Sequence, residues 1–456
     1  MWMFNIPIIF IGILYSFTTY SAELSYEDAV LVKIIKAYEL EPLTPVDRHA
    51  TKAKETLGRA LFFDPIMSGP RNTACATCHI RSQASVDGLP MAVGIGSSGV
   101  SDQRTVNKEA FIIPRNVLPF FNRGAEEFNA FFWDGRVQLA LDGTFESPLG
   151  DLLPTGFDNL LAVAATFPQV EPDEMLGRSH RRGGNKKTTY HAELVSDQVD
   201  PDNFQLRTLD VYKNLMKRIV GTGKTTNSTQ IEYLKLFDTA YPEANIYNIT
   251  HIGNALSAYI SAAFELKRSP WDRYIDGDKS AISHEQKQGA IVFFGKGRCS
   301  VCHSGVQFSD FKYHGLAIPQ LGVGKHGGYL DYGRAKATGL ASERFSFRTP
   351  PLRNVTKTGP WGHNGSFTSI DHVIEHHFNP IPFLFRSQQN NPREAEIAGR
   401  LIGHRSSILA EMYPITKQDV SFLSQFLKSL ESDTVMSDLE AIPKNVPSGM
   451  NQFILK

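Results

Sequence analysis

Cys75-Ala-Thr-Cys78-His79 and Cys299-Ser-Val-Cys302-His303 decide the reading of this chain. Each is a C-x-x-C-H, the attachment signature of c-type haem, in which both thiols add to the porphyrin vinyl groups and the next His offers a nitrogen to the iron. One copy alone would also fit a redox pair or half of a zinc site. Two copies use all four cysteines of the 456 residues, leave none for a disulfide scaffold, and point to two covalent haems. The wide separation of His79 from His303 leaves room for one haem per domain.

The rest of the chain agrees with an exported haem protein. Ile6 to Phe17 is an apolar run too short to span a bilayer, with small polar residues after it. It reads as a secretory signal peptide over residues 1–22, cut near Ser21 or Ala22, with an uncleaved anchor as the alternative. No later segment is long and apolar enough to span a membrane, so the mature protein is expected to be periplasmic and soluble. The 47 Lys+Arg balance 47 Asp+Glu, which gives no general electrostatic reason to bind nucleic acid or an anionic surface. With 41% hydrophobic residues, 36 Gly and 25 Pro, the chain reads as folded and loop-rich rather than disordered or fibrous.

Other motifs carry less. Gly94-Ile-Gly96-Ser-Ser-Gly99 fits a dinucleotide fingerprint without the βαβ pattern it needs. Gly221-Thr-Gly223-Lys224-Thr225 resembles a phosphate loop whose first glycine is replaced by Arg218. His372-Val-Ile-Glu375-His376 matches an inverted zinc motif, and zinc binding is the rival chemistry. Helical periodicity is expected over Tyr26 to Tyr38, Phe157 to Thr166, Leu209 to Ile219, Ile252 to Lys267, His284 to Phe294, Ile370 to His377 and Asp419 to Leu430. Strand signals are few. A polar insertion covers 178–202, and a linker near Gly221 to Ser228 divides an N-terminal unit (23–225) from a C-terminal one (226–456).

The runs GRALFFDPIMSGPRNTACATCH, FFWDGR, LLAVAATFPQVEPDEM, SPWDRYIDGD and FRTPPLRNVTKTGPWGHNGSF occur in the order seen in bacterial dihaem cytochrome c peroxidases. From about Lys52 to Leu430 the chain resembles that superfamily, which includes the MauG-type oxidases. The resemblance implies a mainly helical fold of two cytochrome-c-like domains, each with one covalent haem c, the haems flanking the domain interface. One haem reacts with peroxide and the other stores or relays electrons.

The resemblance also implies roles for single residues. In many of the peroxidases a His about sixteen residues after the first haem His occupies the distal iron position; here that position is Ile95, and no His lies between His79 and His180. An aliphatic side chain does not ligate iron, so the first haem is expected to be five-coordinate. Pro168 and Glu174 fall on the distal positions, with Glu174 as acid/base, while a family Gln falls on Ala164. Trp133 falls on the aromatic that lies between the haems. Taken alone, Glu174 would be a solvated carboxylate and Trp133 a packing aromatic. Counting fourteen residues on from His363 places the sixth ligand of the second haem at His377, with His376 as the register alternative. A calcium ion between the domains would take the Asn116 side chain and the Thr358 and Pro360 carbonyls, hard oxygen donors suited to that ion.

The function expected from these features is that of a MauG-like dihaem enzyme, with the MbnH-like enzymes among the relatives the resemblance suggests. It would use hydrogen peroxide to form a high-valent two-haem state and oxidise a side chain of a substrate protein. The alternatives are a cytochrome c peroxidase fed by a small cytochrome or cupredoxin, and a non-enzymatic electron carrier.

Overall fold

The computed structural model describes residues 24–46, 50–99, 101–104, 111–177, 193–200, 202–222, 226–322, 324, 330–385, 392–411 and 413–450. The signal-peptide reading and residues 178–192 of the polar insertion lie outside them. Among the described residues no helix is long and apolar enough to cross a membrane.

Helices form where a capping side chain precedes apolar residues at helical spacing. They include α1 (Tyr26–Ala37), α2 (Lys52–Phe63), α3 (Leu160–Ala164), α4 (Phe204–Val220), α5 (Ser228–Ala240), α6 (Ile249–Ala263), α7 (His284–Phe294), α8 (Ile370–Phe378) and α9 (Lys417–Ser429), with further helices such as Pro270–Ile275 and Pro392–Ile402 among the long loops. Ser25 caps α1 by accepting the Asp28 N–H at 3.1 Å. Reciprocal capping boxes start α7 (Ser283 with Gln286) and α9 (Thr416 with Asp419). Strands are minor: β1 (Ala130–Phe131), β2 (Val137–Leu139) and β3 (Phe145–Glu146) form one antiparallel sheet, β4 (Tyr313–Gly315) and β5 (Ser346–Arg348) another.

Two main hydrophobic clusters organise the chain. The first joins α2, α3, α4, α5 and α6 through residues such as Leu57, Leu161, Leu215, Tyr233 and Ile252, and takes in Ala441 and Val446 near the C-terminus. The second joins α7 and α9 to Leu31 of α1 and to Trp271. Each has a helix crossing that only glycine permits. A Cβ on Gly58 of α2 would lie 1.8 Å from the Ala255 carbonyl oxygen of α6, and one on Gly289 of α7 would lie 2.0 Å from that of Phe422 in α9.

Packing runs across the boundary expected at 225/226. Helices α5 and α6 follow that position in sequence yet bury Tyr233, Phe237, Ile252 and Tyr259 in the first cluster, while α1 packs in the second. Burying these apolar faces against α2, rather than the polar loop near 221–228, decides where the chain belongs. Helix α3 is also shorter than expected, because Asn159 caps it by accepting the Ala162 N–H and leaves Phe157 and Asp158 outside.

Candidate active site and haem cavities

Each C-x-x-C-H opens onto a cavity. The first, ≈ 190 Å³, is walled by Cys75, Cys78, His79, Phe120, Trp133, Arg136, Pro168 and Glu174 among others. Cys75–Cys78 forms a single helical turn that presents both thiols on one side, and the His79 amide closes it by donating to Cys75 O at 3.0 Å. The His79 ring donates from Nδ1 to Ser85 O at 3.1 Å, which leaves Nε2 as the free lone pair. Burial holds this imidazole neutral, its pKa pushed down to about 3. A neutral imidazole anchored through Nδ1 is the form that ligates iron.

Another part of this cavity's wall is built from two consecutive turns, Pro168–Val170 and Pro172–Leu176. They bring Pro168 and the half-buried Glu174 to the cavity, as the resemblance implied, with Ala164 beside them. Ile95 is buried but does not line it; its amide donates to Asp173 O at 3.2 Å. Among the described residues, His79 is the only histidine on this cavity's wall.

The second cavity, ≈ 210 Å³, repeats the first on one face. The His303 amide donates to Cys299 O at 2.8 Å, and its Nδ1 donates to Phe308 O at 3.0 Å. Its pKa is lowered to about 4, mainly by burial and then by His377. His377, on α8, donates from Nδ1 to Val373 O at 2.7 Å, so its Nε2 is also left free, and it lines the same cavity. His376 faces away: its Nε2 donates to Leu316 O at 2.9 Å and its ring packs 4.9 Å from Phe367. His372 is exposed. The zinc reading of 372–376 therefore lacks a convergent pair.

The FFWDGR run joins the cavities. Trp133 lines both, as do Asn116, Val117 and Leu118, and its Nε1 donates to Asn116 O at 2.9 Å. Asp134 is buried and accepts from Arg115 Nη1 at 2.6 Å, while Arg115 forks onto Asp331 at 2.6 and 2.8 Å. Gly135 has φ +63° and faces the Tyr313 hydroxyl so closely that a Cβ would lie 1.6 Å from it. The Arg136 guanidinium stacks 3.8 Å from the Phe132 ring centroid and lines the first cavity.

The cavities suit haem c by their chemistry. Their walls are largely apolar, the thiols of Cys75, Cys78 and Cys299 are pushed up to about 12 by burial, and each has an anchored neutral His. His363 adds a buried imidazole on the second cavity, stacked on Phe347 at 3.7 Å with neither ring nitrogen hydrogen-bonded. Sequence reading had used His363 only as a counting mark. Cys302, Asp310 and His314 form the one metal-donor cluster among the described residues, but Cys302 belongs to the second C-x-x-C-H. Near the boundary, the Asn116 side-chain amide donates to Pro360 O, and Thr358 and Pro360 line the second cavity with it. The three expected calcium donors are therefore neighbours.

Comparison with known proteins adds the family. Residues 52–280 match the model of the di-haem cytochrome c peroxidases. The chain belongs to that family. It is 27% identical over 336 residues to the methylamine utilization protein MauG of Methylorubrum extorquens, covering 74% of this chain and 69% of that one. It is also 27% identical over 330 residues to the cytochrome c551 peroxidase of Pseudomonas aeruginosa, covering 71% of each. A crystal structure of a MauG-like protein associated with microbial copper homeostasis superposes over 89% of this chain and 96% of that chain, with TM-score 0.59 at 20% identity. The dihaem peroxidase BthA of Burkholderia thailandensis gives 0.53 at 18%, covering 89% and 92%. The protein is thus a mainly helical dihaem oxidoreductase that uses peroxide, and its family carries two haem c groups.

Proposed function

We propose that this is a MauG-like enzyme, exported to the periplasm, that uses hydrogen peroxide to oxidise a side chain of a partner protein. One observation carries the reading: among the described residues His79 is the only histidine on the first cavity, and the wall opposite offers Glu174 and Pro168 instead. A haem held there would supply the peroxide-reactive iron, with His79 as its protein ligand. The second would be held by His303 and His377, a ligand pair expected to give low spin and a lower potential than His/Met.

The chain's own groups then have distinct tasks. Glu174 accepts the first proton of peroxide and returns it to the departing oxygen. Reduction of one peroxide to two waters takes two electrons and two protons, and the partner side chain supplies the electrons. Pro168 and Ala164 keep the wall beside Glu174 free of competing ligands. Trp133, on the wall of both cavities, passes charge between them. Asn116, Thr358 and Pro360 would hold a calcium ion at the boundary, once the Asn116 amide turns its oxygen toward Pro360. The Ile6 to Phe17 run supports export.

Rapid mixing of the fully oxidised, never-reduced protein with one equivalent of peroxide tests the reading. Prompt spectral change at both haems is expected, with Trp133→Phe confining the change to the first haem while peroxide is still consumed. A requirement for prior partial reduction would favour a cytochrome c peroxidase fed by a small redox protein. No reaction in either state would favour a plain electron carrier.

A further inference from the structure

Two buried arginines on the cavity walls have no anion. Arg123 lines the first cavity and Arg348 the second, and they are 4% and 1% exposed. Arg123 Nε donates to Pro119 O at 2.9 Å; Arg348 donates from Nε to Phe132 O at 3.1 Å and from Nη1 to Thr349 O at 3.4 Å. In each, Nη2 is buried without a hydrogen-bond partner. No described carboxylate bonds to either, whereas buried Arg115 and Arg353 each grip aspartate.

The two guanidiniums also sit at the ends of one run of aromatic rings. Arg123 sits 5.1 Å from the Phe128 ring, Phe128 4.9 Å from Phe311, and Arg348 5.7 Å from Phe311. Burial, and then the charge of Arg348, drive the Arg123 guanidinium well below its usual range; burial brings Arg348 down to about 10. Burying a guanidinium without a partner is unfavourable unless an anion accompanies it. Such an arrangement is built for a pair of acidic groups delivered from outside the polypeptide.

Haem c has carboxylate side chains at the edge of its ring. We propose that Arg123 anchors a carboxylate of the haem attached at Cys75 and Cys78, and Arg348 one of the haem attached at Cys299 and Cys302. The inference rests on the two-haem reading. The acidic edge of each haem would then point toward the Phe131–Trp133 segment, which Arg123 approaches through the Phe131 ring and Arg348 through Phe132 O. A fixed positive charge disfavours ferric iron, so each arginine raises the potential of its own haem and, more weakly, of the other. Both are therefore positioning residues that set potentials, with no role in touching peroxide.

The test uses the holoprotein and four variants, Arg123→Gln, Arg123→Lys, Arg348→Gln and Arg348→Lys, each titrated spectroelectrochemically. Haem content of the unaltered protein is measured first, and fewer than two haems per chain would refute the underlying reading by itself. With two haems present, each Gln variant should lower the potential of its own haem most, by about tenfold in the reduction equilibrium, or ~59 mV for a one-electron couple. Each Lys variant should restore most of that loss, because it keeps the charge. An unchanged potential, an equal shift in Gln and Lys, or a shift confined to the other haem would overturn the proposal. Should a Gln variant fail to fold, infrared difference spectra of the unaltered protein with labelled haem decide: ionised haem carboxylates at neutral pH are expected, and protonated ones at both haems would overturn it.

Discussion

Behind each C-x-x-C-H turn the two halves of the molecule are built alike, and on the opposite side of each cavity they part. Both have a helix crossing closed on a glycine, Gly58 against Ala255 and Gly289 against Phe422. Both anchor a neutral histidine through Nδ1 to a backbone carbonyl, Ser85 or Phe308. Opposite His79 stand Pro168 and Glu174, whereas near His303 stands His377 with its Nε2 unengaged. The shared face is what attachment of a haem requires. On the proposed function the differing face divides the work, because a carboxylate beside a histidine-free position suits proton transfer to peroxide and a second imidazole suits electron relay.

The comparison breaks most completely at the residue common to both sides. Arg115 ties Asp134 of the FFWDGR run to Asp331 in the second half, fully buried. Arg115→Ala leaves the buried Asp331 carboxylate without its cation and Asp134 with only the longer Arg136 contact at 3.3 Å, and should cost about 3–5 kcal/mol, read from denaturant unfolding of the holoprotein, with both haem environments disturbed together. Disturbance of only one haem would show that the arginine does not join the two sides.

Glu174→Gln should affect the first side alone. Reaction of the oxidised protein with peroxide should slow by about 10²-fold, while the spectrum of the second haem stays as in the parent. Reaction at the parental rate would remove Glu174 from proton transfer.

The pH dependence of stability should follow the same buried ion cluster. Burial raises the Asp331 pKa, but the charge and hydrogen bonds of Arg115 outweigh it and hold the value at about 2, below the ordinary 3.8. A lowered folded value means that the stabilisation is complete above pH 3.8 and is lost as pH falls toward 2, on the order of 2 kcal/mol. In Arg115→Ala this segment of the stability profile should flatten, which acid unfolding monitored by circular dichroism would register.

The second side is sharpened by His377→Ala, which should turn the second haem high-spin while both haems stay covalently attached. His376→Ala should leave it low-spin and act only on stability, since His376 is spent on Leu316 O and the Phe367 ring. The opposite pattern would shift the ligand by one residue.

Much of this was legible in the sequence because haem attachment and iron ligation depend on local spacing. The two C-x-x-C-H runs fix which thiols and imidazoles share a turn, whereas His377 was reached only through the family resemblance, by a count from His363. Helix α7 was readable to its ends because Ser283 and Gly295 mark them. Less legible was the division of the chain. Helix α5 carries Tyr233, Phe237 and Ala240 at helical spacing, yet whether that stripe faces α2 or α9 depends on contacts far away in sequence. Helix α2 was likewise not expected, since its apolar residues crowd at Leu61, Phe62 and Phe63 rather than forming a stripe. Arg123 and Arg348 gave no sign at all, because an arginine reads as exposed until the fold closes over it.

Electron paramagnetic resonance of the fully oxidised, unaltered protein at neutral pH tests the central claim most directly. One high-spin ferric haem, from the cavity of His79 and Glu174, and one low-spin haem, from the cavity of His303 and His377, are predicted. Two low-spin signals of equal weight would contradict the account, since a sixth ligand would then occupy the position left open opposite His79.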